Sequence, residues 1–398
     1  MNNLKQHKKI AISIIVIICL IFIGVAVVYF DKKNAEPQPQ EITKNNSVPT
    51  NLPTNEVAII TPDAPRMETV AENLAVPWDL AFLPSNDLLI TERAGKIKRL
   101  YLSSDQRVED VFEITDVRQV GESGLHGVAV HPDFAQNNYI YLYYTFAESA
   151  GGTRNRVVRY KYTDDKLTER TVIIDNIPGA VFHDGGRIRF GPDSYLYVTT
   201  GDAQIPSLAQ DKISLAGKIL RVTDTGAPAP GNPFNSAIYS YGHRNPQGIT
   251  WDDKGNLWET EHGPSGTGSD CCRDELNLIK PGQNYGWPDI TGNQTKPGMI
   301  SPILQSGESA VWALASIVYA DGSLYFGGLR GQALYEAALN PDNSVKEIIP
   351  HMDKQLGRIR AVTKGPDGMI YISTSNRDGR GLPKTGDDKI IRINPTKL

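Results

Sequence analysis

The sequence predicts an all-β fold: a six-bladed β-propeller with four-stranded antiparallel blades, preceded by an N-terminal transmembrane helix. Three observations carry that expectation. An apolar alternating strand, a Pro/Asp/Gly turn and a second alternating strand recur six times. Thirty-six Gly and 26 Pro are spread along 398 residues, which implies many turns and many short strands. A charge-free apolar run near the N-terminus has the length of a membrane span.

Residues 1–9, MNNLKQHKK, hold Lys5, Lys8 and Lys9 and read as a cytoplasmic basic segment. Residues 10–30 follow without a charge. A bilayer core about 30 Å thick needs about 20 apolar residues in a helix, and this run supplies them. It exceeds a signal-peptide core of about 7–15 residues, and no A-x-A cleavage site follows. A long cleaved signal is the competing reading. Basic residues before the run favour an inside N-terminus, so the rest of the chain is expected outside the cytoplasm, anchored by this single helix. Cys19 lies within the span. Residues 31–66 are polar and Pro-rich, with little to bury, and read as a flexible tether. Residues 67–398 remain for the propeller.

The six copies are WDLAFLPSNDLLITERAGKIKRL, LHGVAVHPDFAQNNYIYLYYT, GRIRFGPDSYLYVTTGDA, QGITWDDKGNLWETEHG, the fainter ALASIVYADGSLYFGGLRGQALYEA, and RIRAVTKGPDGMIYISTSNRDG. Their turns carry Pro84, Pro132, Pro192, Asp252, Asp321 and Pro366, spaced by 45 to 69 residues. That pitch suits four strands per blade. Third strands are legible as NRVVRYKY, GKILRVT and DKIIRIN. Each strand pair leaves an apolar face that only a neighbouring blade can cover. The last copy ends near the C-terminus and the first begins soon after the tether, so ring closure would join the chain ends. A pair of β-sandwiches is the weaker competitor.

Net charge is −4, so no basic field invites nucleic acid. Three Cys exclude a disulfide-dense scaffold.

Four stretches could carry chemistry. In GHRNPQG, Pro246 fixes the loop, Arg244 offers a planar fork of donors, and Asn245 offers donor and acceptor side by side. Such a set grips a flat, oxygen-rich anion, or else bonds its own backbone. In FHDGGRIRF, His183 opens a strand, and Asp202 follows the paired strand at hairpin distance. A carboxylate that orients an imidazole base is a recurrent arrangement, although a lone His is more often structural. In ETEHGPSGTGSDCCRDELNLI, carbonyls near Gly263 and Pro264 and the Glu275 carboxylate suit a hard cation. Adjacent Cys271 and Cys272 are free to form a vicinal disulfide or to stay as thiols. Finally, Arg330, Arg358 and Arg360 join Arg244 from separate blades. Arg358 and Arg360 would face one side of a strand, lining a multi-anion pocket at the axis or merely paired on a solvated surface.

These motifs resemble the soluble quinoprotein aldose sugar dehydrogenases, also called glucose/sorbosone dehydrogenases. HDGGRIRFGPD, AGKILRV, GHRNPQG, DELNLI, NYGWP and GRIRAV carry the resemblance over roughly residues 70–394. It implies a propeller holding pyrroloquinoline quinone (PQQ) and Ca2+, and oxidation of aldose sugars at the anomeric carbon to lactones. His183 resembles the family's base, Asp202 its orienting carboxylate, and Arg244 the group that polarises the quinone, with Asn245 on the same edge. Arg330, Arg358 and Arg360 would bind the cofactor's carboxylates. Backbone oxygens of Gly263 and Pro264 resemble ligands of the catalytic calcium. Glu275 and the backbone oxygen of Tyr285 resemble a second calcium site.

The chain departs from the family where GESGL replaces a Gln-containing loop. Glu122 there would either repel an anionic cofactor or touch sugar hydroxyls. His262 beside the metal loop and the GTGSDCCRDE insert are further departures, and so is the span itself, which would hold the enzyme near membrane electron carriers. The electron acceptor is not specified by the sequence. Two other readings compete: a calcium-dependent lactonase, which needs an acidic cage on the axis, and a non-catalytic carbohydrate- or protein-binding propeller.

Overall fold

The computed structural model describes residues 64–102, 105–149, 151–264 and 271–398. The expected basic segment 1–9, the membrane anchor 10–30 and all but the end of the tether lie outside them. No helix of the described residues is long and apolar enough to cross a membrane.

The described strands form six antiparallel sheets of four. The innermost strands are Pro77–Phe82, Leu125–Val130, Ile188–Phe190, Pro246–Trp251, Leu314–Ala320 and Ile359–Lys364, opening blades one to six in that order. Each touches the next, and the sixth touches the first, so the ring is closed. Closure uses both chain ends as expected: Met67–Ala71 pairs antiparallel with Ile390–Ile393 as the outer strand of blade six.

All six repeated turns sit between the first and second strands of their blades. Each turn holds a residue in the left-handed region: Asn86, Asn138, Ser194, Gly255, Gly322 and Gly368. Asn and Gly tolerate that conformation best, which explains the sequence punctuation. NRVVRYKY falls within the third strand Thr153–Thr163, and GKILRVT and DKIIRIN contain the third strands Lys218–Val222 and Ile390–Ile393.

The interior is divided into six apolar clusters, one per blade interface. Leu89 and Ile97 of blade one meet Val128 and Leu142 of blade two. Tyr197 and Ile219 of blade three meet Ile249 and Leu257 of blade four. Phe326 of blade five packs with Trp258 and Leu276 of blade four. No blade buries its own faces, so the fold is stable only as a ring. The axis is plugged by side chains: Arg187 and Arg189 both pair with buried Asp79, and Arg187 lies 4.2 Å over the Trp78 ring.

Antiparallel pairing brings the loop entering each first strand to the same end as the loop joining strands two and three. Those loops carry most candidate site residues; Arg360 and Glu275 lie at the starts of strands Ile359–Lys364 and Glu275–Ile279, and Tyr285 lies in the loop joining strands three and four of blade four.

Candidate active site

His183 lies in the loop entering blade three, with φ +65. Gly185 and Gly186 follow it. A Cβ on Gly186 would stand 2.5 Å from the His126 ring, so the chain passes there only as glycine. The loop thereby delivers His183 to the end of strand Leu196–Thr200, where Asp202 waits. His183 Nδ1 bonds Asp202 Oδ1 at 2.8 Å. Asp202 is fully buried, and its Oδ1 also accepts from Gln204 N at 2.8 Å. His183 Nε2 has no hydrogen-bond partner among the described residues and faces a cavity of about 280 Å³.

That cavity is lined by His183, Glu122, Arg244, Arg330, Arg358 and Arg380, among others. A smaller, deeper cavity shares Glu122, His262 and Leu329 with it and reaches Asp184, Trp78 and Arg360. The loops of five blades therefore contribute to one place. Arg244 Nη1 donates to His262 O at 3.1 Å, and its guanidinium carbon lies 5.3 Å from the Trp287 ring centroid. Burial lowers the Arg244 pKa. Arg330 stands exposed at the rim without an ion pair among the described residues.

Arg358 and Arg360 are not on a solvated strand. Both are buried, and both turn toward Asp378 in the loop joining strands two and three of blade six. Arg358 Nη2 and Nε sit 2.7 and 2.8 Å from Asp378 Oδ2, and Arg360 Nη2 lies 3.8 Å away. Burial pushes Arg360 down to about 10 even with Asp378 opposing. One carboxylate thus serves two guanidiniums, and a net positive charge remains.

Glu122 does not stand free against an anion. It ion-pairs with Arg380, which also sits 5.2 Å from the Phe182 ring centroid. Burial raises its carboxyl, but His262, Arg380 and Arg360 bring it down to about 2. Asn245 lines neither cavity. Its Oδ1 accepts from Gly185 N at 3.1 Å and Gln247 Nε2 at 3.0 Å, so it braces the His183 loop.

Buried polar atoms are costly without partners, and several here have none. Arg93 Nε, Arg244 Nε, His262 Nε2 and Asp184 Oδ2 are buried and unbonded. Asp184 is pushed up to about 6 by burial. The donor-rich walls fit a planar polyanion with an acceptor edge, bound across the cavity.

The metal candidates converge on a third cavity. Gly263, Pro264, Glu275 and Tyr285 share its walls with Arg244, Glu261 and Trp287, and it holds about 10 Å³, the space of one ion or water. The site is drawn tight: a Cβ on Gly263 would meet Cys272 O at 2.0 Å, and Cys271 and Cys272 are bonded to each other. Behind it, Glu259 and Glu261 are buried, and their ligand atoms lie within 4.8 Å of each other and of His243. Burial, then Glu261 and Glu275, push the Glu259 carboxyl well up. Burial and Glu261 push Glu275 up to about 8. Glu259 Oε1 and Asn277 Oδ1 are buried without partners. A buried, oxygen-rich set of mutually repelling carboxyls fits a hard cation.

Sequence reasoning missed Asp184, Asp378 and Arg380. Asp184 stands beside His183 in FHDGG, so its signal was adjacent. Asp378 and Arg380 sit in NRDGR, at the end of the last copy, and nothing in their spacing distinguishes them from a turn.

A family model described as glucose/sorbosone dehydrogenase matches residues 74–385. The chain is 31% identical over 352 residues to aldose sugar dehydrogenase YliI of Escherichia coli (strain K12), covering 81% of this chain and 93% of the relative. It is 36% identical over 264 residues to quinoprotein glucose dehydrogenase B of Acinetobacter calcoaceticus, covering 58% of this chain and 54% of the relative. The fold is similar to the PQQ-bound form of aldose sugar dehydrogenase from Streptomyces coelicolor, with a TM-score of 0.76 and 40% identity, covering 82% of this chain and 96% of that one.

Proposed function

This chain belongs to the glucose/sorbosone dehydrogenase family and is an oxidoreductase; from that premise we propose that it oxidises aldose sugars at the anomeric carbon to lactones, with PQQ and Ca2+. The observation that carries the reading is the His183–Asp202 pair opening into the same cavity as Arg244, Arg330 and Arg358. When bound, PQQ supplies a quinone that accepts hydride, and calcium supplies Lewis acidity to it.

The chain's own groups do the rest. His183 Nε2 takes the proton of the anomeric hydroxyl, while Asp202 stabilises the imidazolium that results. Arg358, Arg360 and Arg330 hold the cofactor's carboxylates by charge-assisted hydrogen bonds. Arg244 offers positive charge where negative charge develops. Gly263 and Pro264 present carbonyls for the calcium, with Glu275 and Tyr285 beside them. Asn245 supports the loop rather than the ligand. Glu122, neutralised by Arg380, faces sugar hydroxyls as an acceptor.

A lactonase would need an acidic cage on the axis, whereas this axis carries Arg187 and Arg189 paired with one Asp79, and Arg360 beside Trp78. We also propose that residues 10–30 anchor the enzyme with its catalytic domain outside the cytoplasm, which partitioning of the full chain into washed membranes would test.

The test of function is addition of PQQ and CaCl2 to the metal-free protein with an aldose and an artificial dye. Sugar-dependent dye reduction that needs both additions supports the reading. A bound-cofactor spectrum with no dye reduction would remove the dehydrogenase claim.

A further inference from the structure

The carboxylate behind the proposed base has a second partner. Asp202 Oδ1 is taken by His183 Nδ1 and Gln204 N, both at 2.8 Å. Its Oδ2 accepts from Trp287 Nε1, also at 2.8 Å. A carboxylate turns freely about its last bond, because that torsion is broad and two-fold. Donors on both oxygens remove the freedom, and the plane of Asp202 then sets the plane of the imidazole.

Trp287 is itself held on both sides. Its backbone N–H donates to Gly242 O at 2.9 Å, and its backbone carbonyl accepts from Gln210 Nε2 at 2.6 Å. Gln210 is locked to Asn284 by two further bonds, of 3.0 and 2.8 Å. The indole face lies against Arg244, 5.3 Å from ring centroid to guanidinium carbon. One side chain therefore touches the partner of the base and the guanidinium opposite it.

We propose that Trp287 is a positioning residue of the reaction: its indole N–H fixes the Asp202 carboxylate so that His183 presents Nε2 to substrate, and its ring seats Arg244. The proposal rests on the function proposed above.

Loss of the N–H has a defined sign. Asp202 would keep more of its negative charge for His183, so the imidazolium is stabilised. Only the neutral imidazole can accept the substrate proton. The acid limb of the kcat profile therefore moves to higher pH.

Two variants separate the donor from the ring: Trp287→Phe, and replacement of Trp287 by benzothienylalanine, which keeps the shape and puts sulfur where the N–H was. In the PQQ- and calcium-loaded enzyme, both are expected to shift the acid limb upward by about one pH unit and to lower plateau kcat about tenfold. KM and PQQ affinity should change less than about threefold. The Phe variant should lose more, since only it weakens the seat of Arg244. The His183 imidazole, followed by NMR titration in the cofactor-free protein, should move the same way. A benzothienylalanine enzyme with the wild-type pH profile and an unmoved imidazole titration overturns the proposal. Absence of PQQ-dependent activity in the wild type would overturn the function instead, and the NMR titration would still decide the role of Trp287.

Discussion

In the proposed reaction, the chemistry turns on His183. His183→Ala should lower kcat by about 10²–10⁴-fold and leave PQQ affinity within about threefold, because the imidazole takes a proton and does not neutralise the cofactor's charge. Steady-state kinetics beside a PQQ titration checks both halves; collapse of PQQ binding with an unchanged residual rate would refute the base role. Glu122 makes a pH prediction. Burial opposes its ionisation, but His262, Arg380 and Arg360 hold it at about 2, below the ordinary 4.5. A depressed carboxyl contributes stability that is present above 4.5 and lost as pH falls toward 2. Glu122→Gln should therefore cost about 1–2 kcal/mol at pH 7, after allowing for the solvent around Arg380, and only about a quarter of that near pH 2.5. Urea unfolding of both proteins at the two pH values reads the difference. His183, Asp202 and Arg244 were legible because scarce polar types sat beside glycines at strand ends. Asp378 was not: a turn Asp and a counter-ion look alike until the fold brings Arg358 and Arg360 to it. Glu122 was legible as a misplaced charge, but its partner lies 258 positions away, across the ring closure.

Strands and turns were the most legible features, because period-two alternation and turn residues are local signals. Even the faint fifth copy resolves into Leu314–Ala320 and Ser323–Gly328. The outer strands were harder to read. Val108–Glu113 is largely exposed and polar, so no buried face stamps a pattern on it. The closing strand Met67–Ala71 is anonymous by composition, yet it covers the edge of Ile390–Ile393 and buries Val70 and Ala71 beside Leu80 and Tyr371. Truncation to residue 73 should expose that edge and uncover part of the interface between blades one and six. A chain starting at residue 60 should melt as the full-length domain does. One starting at residue 73 should lose several kcal/mol, at about 1.5–3 per large apolar side chain uncovered, and should aggregate. Circular dichroism melts and light scattering check this. Equal melting of the two chains would show that the ring does not depend on its closing strand.

The whole ring is needed for the site: the cavity takes Glu122 from the loop entering blade two, His183 from blade three, Arg244 from blade four, Arg330 from blade five and Arg358 from blade six, and the smaller cavity beside it takes Trp78 from blade one. Convergence of this kind was only partly legible. Repeat counting placed the loops at one end of an axis, but the depth of Arg360, the bracing of the His183 loop by Asn245 and the sharing of one small cavity by Gly263, Pro264, Glu275 and Tyr285 depend on packing that no local pattern encodes. A ligand seated there binds the closed ring and nothing that has opened, so its free energy should stabilise the domain as a unit. At a hundredfold excess over Kd that amounts to about 2.7 kcal/mol. With about 330 residues unfolding together, the entropy of unfolding converts this to a rise of about 4 °C in Tm. PQQ with calcium should produce that rise in a single transition, and a chelator should abolish most of it. Arg358→Ala should shrink the rise much more than His183→Ala, since in the proposed reaction one residue holds charge and the other moves a proton. Calorimetry that finds two transitions, only one of them moved by ligand, would mean that part of the ring folds without its neighbours and that the cavity is not the product of all the blades.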